Sequence, residues 1–230
     1  MGDGVPPPNR LVRQISLGHV NAFIIRGNRP VLVDTGLPGS SAKILAALIE
    51  EGYNPRDLGL IIITHMHTDH FGSAAAIAAE TGAPVLVHAA EAGLLAAGTG
   101  RSPVPVTLTG RILALMIGKE TPKPELGIVP GVRVSGPYRL DDFGIDGEVI
   151  PVPGHTPGSL AVRLATGEFI AGDLVMGIFM TRYPAFPIFA EDVVAVKESV
   201  RKMIALQPAV IYAGHGGPFT GSQLDSLGGE

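Results

Sequence analysis

The apolar run Leu60-Ile61-Ile62-Ile63 passes without a break into Thr64-His65-Met66-His67-Thr68-Asp69-His70-Phe71-Gly72. The run reads as a strand buried on both faces, because it is continuous rather than alternating and is rich in β-branched residues. The polar cluster at its carboxyl end is hard to explain by packing. Three imidazoles and a carboxylate stand within six consecutive residues; they contribute little apolar area and repel one another once the rings are protonated. A divalent cation removes that conflict, since neutral imidazole and carboxylate suit zinc or iron. Beyond Gly72, Ala74 to Glu80 is a strong helix former with Ser73 placed as its N-cap. The histidines are therefore expected on a loop between strand and helix, where open α/β sheets place their ligands. This differs from a His-Glu-x-x-His site, whose two histidines share one helical face.

Further candidate ligands stand at similar strand ends. The strand Val149 to Val152 leads into Pro153-Gly154-His155-Thr156-Pro157-Gly158-Ser159, Phe169-Ile170-Ala171-Gly172 ends on Asp173, and Val210-Ile211-Tyr212-Ala213-Gly214 ends on His215. The glycines beside them let backbone approach an ion closely. The order of elements also occurs twice. Val31 to Asp34, a helix over about 41–51 and the strand ending at Thr64-His65 form the first half. Phe169 to Asp173, a helix over about 191–206 and the strand ending at Gly214-His215 form the second. Asp34 is read as ordering its turn or a ligand histidine through hydrogen bonds rather than as a ligand. His88 and His19 are read as structural, with His19 also in reach of the cleft.

Taken in order, the His-x-His-x-Asp-His run, the histidine of Gly-His-Thr-Pro-Gly, the aspartate of Gly-Asp and the late Gly-His resemble the metallo-β-lactamase-fold superfamily of metallohydrolases, from about Leu11 to Phe219. The resemblance implies an α/β fold, an αββα four-layer sandwich of two mixed β-sheets with outer helices and a metal site at the sheet edge. It implies two divalent ions: one held by His65, His67 and His155, the other by Asp69, His70 and His215, with Asp173 bridging. Asp69 would also orient the nucleophile, a hydroxide formed by the lowered pKa of metal-bound water. Relatives that run diiron redox chemistry commonly carry glutamate where His67 stands, so zinc is the first expectation, with iron or manganese compatible with the same ligands. Lactonases of this fold usually carry a tyrosine three residues after the bridging aspartate; Met176 stands there, with Tyr183 on the next loop. The resemblance is not expected to extend to the helical carboxyl-terminal domain of glyoxalase II proper.

Composition narrows the class. The 230 residues carry 17 Lys and Arg against 21 Asp and Glu, a net charge of −4 that argues against a nucleic-acid groove and demotes a phosphodiesterase or nuclease reading. Cysteine is absent, so there is no disulfide framework. The segment 1–10 reads as a flexible tail lacking a signal peptide, and no run is long enough for a membrane span, so a cytoplasmic location is expected. Residues 11–230 are read as one domain. Within it, 98–131 stands outside the repeat; its apolar stretch Arg111 to Gly118 is a helix packed on the core surface, a lid over the site or a homodimer contact. The apolar residues from Leu174 to Phe189, with Met176, Phe179 and Tyr183 as candidate substrate contacts, fit either core packing or the wall of a small-molecule pocket. The expected activity is hydrolysis of a small ester, thioester or lactone with an apolar portion. The rivals are a mononuclear iron persulfide dioxygenase and a non-catalytic metal-binding protein.

Overall fold

The computed structural model describes residues 10–177 and 183–227. Twelve strands and six helices are present among them. The strands are β1 (Val12–Ser16), β2 (Asn21–Ile25), β3 (Val31–Val33), β4 (Leu60–Ile62), β5 (Val85–His88), β6 (Val132–Val134), β7 (Tyr138–Arg139), β8 (Gly147–Pro151), β9 (Leu160–Leu164), β10 (Glu168–Ile170), β11 (Val210–Tyr212) and β12 (Phe219–Thr220). The helices are α1 (Ser41–Glu50), α2 (Thr68–Phe71), α3 (Ala74–Thr81), α4 (Ala92–Ala97), α5 (Leu108–Ile117) and α6 (Val193–Ala205). The first six strands form one sheet in sequential order and the last six form a second. Both sheets are mixed: β3 to β6 pair in parallel, as do β10 and β11, while the remaining neighbours are antiparallel.

Alternation along each strand builds the layers. Val31, Val33, Leu60 and Ile62 point into a cluster shared with Val149, Val162, Ile170 and Tyr212 of the other sheet. Their neighbours Leu32, Ile61 and Ile63 point outward and pack with Ile44 and Leu48 of α1 and Ile77 of α3. On the far side Phe169, Ala171 and Ile211 pack with Val196, Val200 and Met203 of α6. This is the expected four-layer αββα order, and it explains why β4 is apolar at every position: sheet faces it on one side and helices on the other.

The duplication seen in the sequence is a property of the fold. In each sheet a parallel pair is joined by a helix, α1 between β3 and β4, α6 between β10 and β11. Register pairs Val31 with Leu60 and Glu168 with Val210. His65 and His215 each lie five residues beyond the second member of their pair, so they occupy matched positions. The carboxylates do not match: Asp34 lies three residues beyond Val31, Asp173 five beyond Glu168. Strands β8, β10 and β11 run the same way, so their carboxyl ends, with those of β3 and β4, gather at one rim. Two backbone hydrogen bonds join the sheets there, Leu160 N–H to the Thr64 carbonyl and Asn21 N–H to the Gly214 carbonyl, both 2.8 Å.

Several local expectations are corrected. Asp69 and His70 stand in the single-turn helix α2 rather than on open loop. Ser73 precedes α3 but does not cap it, because its hydroxyl donates to the Leu37 carbonyl and accepts from Ser40 N–H. Helix α6 starts at Val193, not near 191, since Asp192 caps it by accepting from Ala195 N–H. Helix α5 does form within 98–131, but it does not pack as a surface layer of the core. Gly110 alone is buried, while Leu115 and Met116 are 86% and 78% exposed. The tail expected at 1–10 lies outside the described residues except for Arg10. No helix among the described residues is long and apolar enough to cross a membrane.

Candidate metal centre

The rim gathers all seven expected ligands. Three groupings of ligand atoms lie within 4.8 Å of one another: His65, His67 and His155; His65, His70 and Asp173; Asp69, His70 and His215. Residues 150 positions apart in the chain become neighbours because matched strand ends face each other across the sandwich.

Hydrogen bonds on the outer side of each ring decide which nitrogen faces the centre. The Asp34 carboxylate is an acceptor only. It takes Thr64 N–H at Oδ1, and at Oδ2 both the Thr64 hydroxyl and His70 Nδ1–H, each at 2.8 Å. His70 therefore turns Nε2 inward. The Thr64 hydroxyl, having spent its proton on Asp34, accepts from His65 Nδ1 at 3.0 Å. His155 Nδ1 donates to the Phe189 carbonyl and His215 Nδ1 to the His19 carbonyl, both at 2.7 Å. Four rings thus turn Nε2 to the centre, the orientation of a ligating histidine. His67 differs: its Nδ1 lies 3.0 Å from both His65 Nε2 and His155 Nε2.

These contacts test the fit of a cation. Lone pairs converging without protons between them make no stable hydrogen-bond cluster. Ligand atoms on a tetrahedral ion at about 2.0–2.1 Å would stand about 3.3 Å from each other, close to the spacing seen. His70 Nε2 and Asp173 Oδ1 are buried polar atoms with no hydrogen-bond partner, which a native interior does not tolerate without a ligand or water. Asp173 reaches both halves, with Oδ1 3.5 Å from His70 Nε2 and Oδ2 3.6 Å from His155 Nε2 and 3.3 Å from His215 Nε2. Asp69 Oδ2 stands 3.4 Å from His215 Nε2. A glycine makes room: a Cβ at Gly214 would overlap Asp173 Oδ1 and stand 2.7 Å from His70 Cε1. The side chains fit a metal site.

Electrostatics separate the two halves. Burial and the neighbouring imidazoles hold His65 well below its ordinary value, and burial above all takes His67 down to about 3 and lowers His155. These rings are neutral at neutral pH, the form that ligates. Burial works against charge on His70 too, but the carboxylates of Asp173, Asp34 and Asp69 outweigh it and push the ring up to about 10. His215 goes up to about 9 in the same way, with Asp173 overcoming its burial. For Asp69 and Asp173 burial opposes ionisation, yet His70 and His215 hold both carboxyls below their ordinary value. The carboxylate-rich half thus already demands positive charge.

Asp34 hydrogen-bonds to Thr64 and His70 at φ 60°, a left-handed conformation that aspartate tolerates better than most residues. His88 is structural: its Nδ1 accepts from Ala90 N–H. His19 lines the cleft, 63% exposed, stacked on His215 at 6.1 Å and 3.8 Å from Asp69. Of the substrate candidates, Met176 is buried, with its backbone bonded in both directions to Ala185. Tyr183 is exposed, and Phe179 lies outside the described residues. Phe169 belongs to the core, and Phe186 packs against it. Thr64, Asn21, Glu91 and Arg101 escape a reading by motif. Asn21 donates to the Ala213 and Gly216 carbonyls and so holds the His215 turn. Glu91, a lone acid within Ala89-Ala90-Glu91-Ala92-Gly93-Leu94-Leu95, was the one sequence signal available.

Known proteins are similar to this chain. The metallo-beta-lactamase superfamily profile matches residues 15–215. A probable metallo-hydrolase of Bacillus subtilis, YflN, is 27% identical over 85% of this chain and 78% of its own. A hydroxyacylglutathione hydrolase of Albidiferax ferrireducens is 31% identical over 54% of this chain and 34% of its own. The solved structure of TTHA1623 in a di-iron-bound form superposes with a TM-score of 0.68 and 25% identity, covering 95% of this chain and 99% of that one.

Proposed function

The chain belongs to the metallo-β-lactamase superfamily, and on that premise we propose that it is a dinuclear metal-dependent hydrolase of small esters, thioesters or lactones with an apolar portion. The observation that carries the reading is the convergence of ring nitrogens at one rim: His65, His70, His155 and His215 are each held at Nδ1 so that Nε2 faces the centre, and His67 Nδ1 lies 3.0 Å from two of them. His65 Nε2, His67 Nδ1 and His155 Nε2 would hold one ion and Asp69, His70 and His215 the other, with Asp173 shared. Bound there, the ions would supply water ionisable near neutral pH and an electrophile for the scissile carbonyl. Asp69, kept ionised by His70 and His215, would accept a hydrogen bond from the attacking water and so orient it. Asp34, through Thr64 and His70, keeps two rings from turning. Zinc is the ion we expect from this nitrogen-rich set; the di-iron form of TTHA1623 makes iron the alternative outcome of metal analysis.

The apolar preference is supported by the position of the insertion. Its backbone joins the ligand loops at Arg101 N–H to the Met66 carbonyl, and it pairs with the segment following Tyr183 through Val106 N–H to Ile188 and Ala190 N–H to Val104. Thr68, one residue before Asp69, donates to Glu120 at 2.8 Å. Leu108, Ile112, Leu115 and Met116 are thereby carried on an exposed helix beside the mouth. Such a wall favours an acyl chain over a compact polar substrate. Turnover of ester, thioester and lactone series of increasing acyl length, with metal content measured on the same preparation, tests the proposal. Rates should rise with chain length and vanish reversibly with chelator. A flat response removes the apolar wall. One iron per chain with oxygen uptake on a persulfide replaces hydrolysis by an oxygenase.

A further inference from the structure

Glu91 follows β5 on a short turn and is 1% exposed. Its carboxylate accepts Gly158 N–H at 3.1 Å, in the turn that carries His155, and both of its oxygens accept from Arg101 Nε, at 3.1 and 2.9 Å. A Cβ on Gly158 would overlap the Glu91 side chain, so the two segments are in direct contact. Arg101 Nη1 continues to both oxygens of Glu191, at 3.0 and 3.3 Å. Glu191 N–H returns to the carbonyls of Gly154 and His155, at 3.1 and 3.2 Å. Arg101 N–H meets the carbonyl of Met66, between His65 and His67, at 2.6 Å.

One arginine at the start of the insertion therefore spans both sheets. Its backbone grips the loop of His65 and His67, and its guanidinium, through two acids, grips the turn of His155. Two of the other four ligands rest on different supports: Asp34 under His70, the His19 carbonyl and Asn21 under the His215 turn. We propose that Arg101, with Glu91, is a positioning pair that sets the separation of His67 from His155 and so the affinity of the His65–His67–His155 trio for its ion, leaving the second position untouched. By reciprocity, loading that trio tightens the insertion on the body. The inference rests on the metal reading above, and it differs from general stabilisation because its effect is confined to one of two binding steps.

Cobalt titration against a competing chelator, followed by the visible ligand-field spectrum, reads the two steps without any substrate. Arg101→Met is expected to weaken one step by about tenfold or more, the scale of lost outer supports to a ligand, and to leave the other unchanged. Arg101→Lys should recover part, since lysine restores the charge but not the two-pronged fork. Glu191→Gln, at a half-exposed carboxylate, should show a smaller loss of the same kind. The double variant Glu91→Gln, Arg101→Met removes the buried charge that would otherwise stand alone, and should keep the fold and the selective defect. Arg139→Met, which breaks only an exposed cluster with Asp141 and Asp146, is the control and should bind as the native chain does. Equal weakening of both steps in Arg101→Met and in the double variant, or none in either, overturns the proposal while leaving the metal reading intact. A native chain that takes up no cobalt overturns both.

Discussion

Replacing Asp34 with asparagine is the sharpest test of how the centre is organised. The change keeps shape and a residue type that accepts the φ of 60°, so its effect comes from the hydrogen bonds and the lost carboxylate charge beside His70. Asp34 accepts three bonds: Thr64 N–H on Oδ1, and the Thr64 hydroxyl and His70 Nδ1–H on Oδ2. An asparagine has one acceptor oxygen. With that oxygen in the Oδ2 place, its amide faces Thr64 N–H, and a buried donor is stranded. Turned over, the amide faces His70 Nδ1, which must become the acceptor; the ring proton then moves to Nε2 and points at the place of the ion. The first arrangement costs about 1–3 kcal/mol of folding free energy, a buried donor left unmade. The second removes His70 from the ligand set and weakens binding by about 10–100-fold. The relevant measurements are denaturant unfolding of the metal-free protein and a zinc titration with a chelating indicator. Asp34→Asn should lose in at least one of them; a variant with native stability and native affinity would show that Asp34 does not set the tautomer of His70.

Thr64→Val, nearly isosteric, strands His65 Nδ1–H, so metal-free stability should fall by about 1–3 kcal/mol in chemical denaturation. Gly214→Ala places a methyl group where Asp173 Oδ1 and His70 Cε1 stand, so bound metal per chain should drop below the native count in elemental analysis while the circular dichroism stays native. Treatment with chelator followed by gel filtration should abolish ester, thioester or lactone turnover, and zinc should restore it; activity that survives in metal-free protein would refute the proposed chemistry. A pH effect is expected far from the centre. Burial and the Glu168 carboxylate, which accepts from the Tyr212 hydroxyl at 3.0 Å, push that phenol from 10.0 up to about 12. Between those values the unfolded phenol has lost its proton while the folded one keeps it, so stability should fall as pH rises through that window. Unfolding midpoints should show a slope there that Tyr212→Phe lessens.

The sequence by itself determined the layered fold and the residues proposed as ligands. Strands β4 and β11 and the run from Phe169 to Ala171 declare themselves by apolar residues buried on both faces, and each leads into a residue with a lone pair to offer. The twofold order of strand, helix and strand was legible for the same reason. Tertiary structure alone decided what holds those ligands in place. Nothing local says that the Thr64 hydroxyl would spend its proton on Asp34 and receive one from His65, or that Arg101 would bridge two acids on either side of the His155 turn. The exposure of α5 was equally unreadable: its apolar residues look like core in a linear chain, and only the folded structure shows them in solvent. Apolar periodicity and metal-ligand chemistry are short-range properties and can be read along the chain. Tautomers, supporting hydrogen bonds and exposure depend on partners far away in sequence, which the chain reveals only once the two sheets have closed on each other.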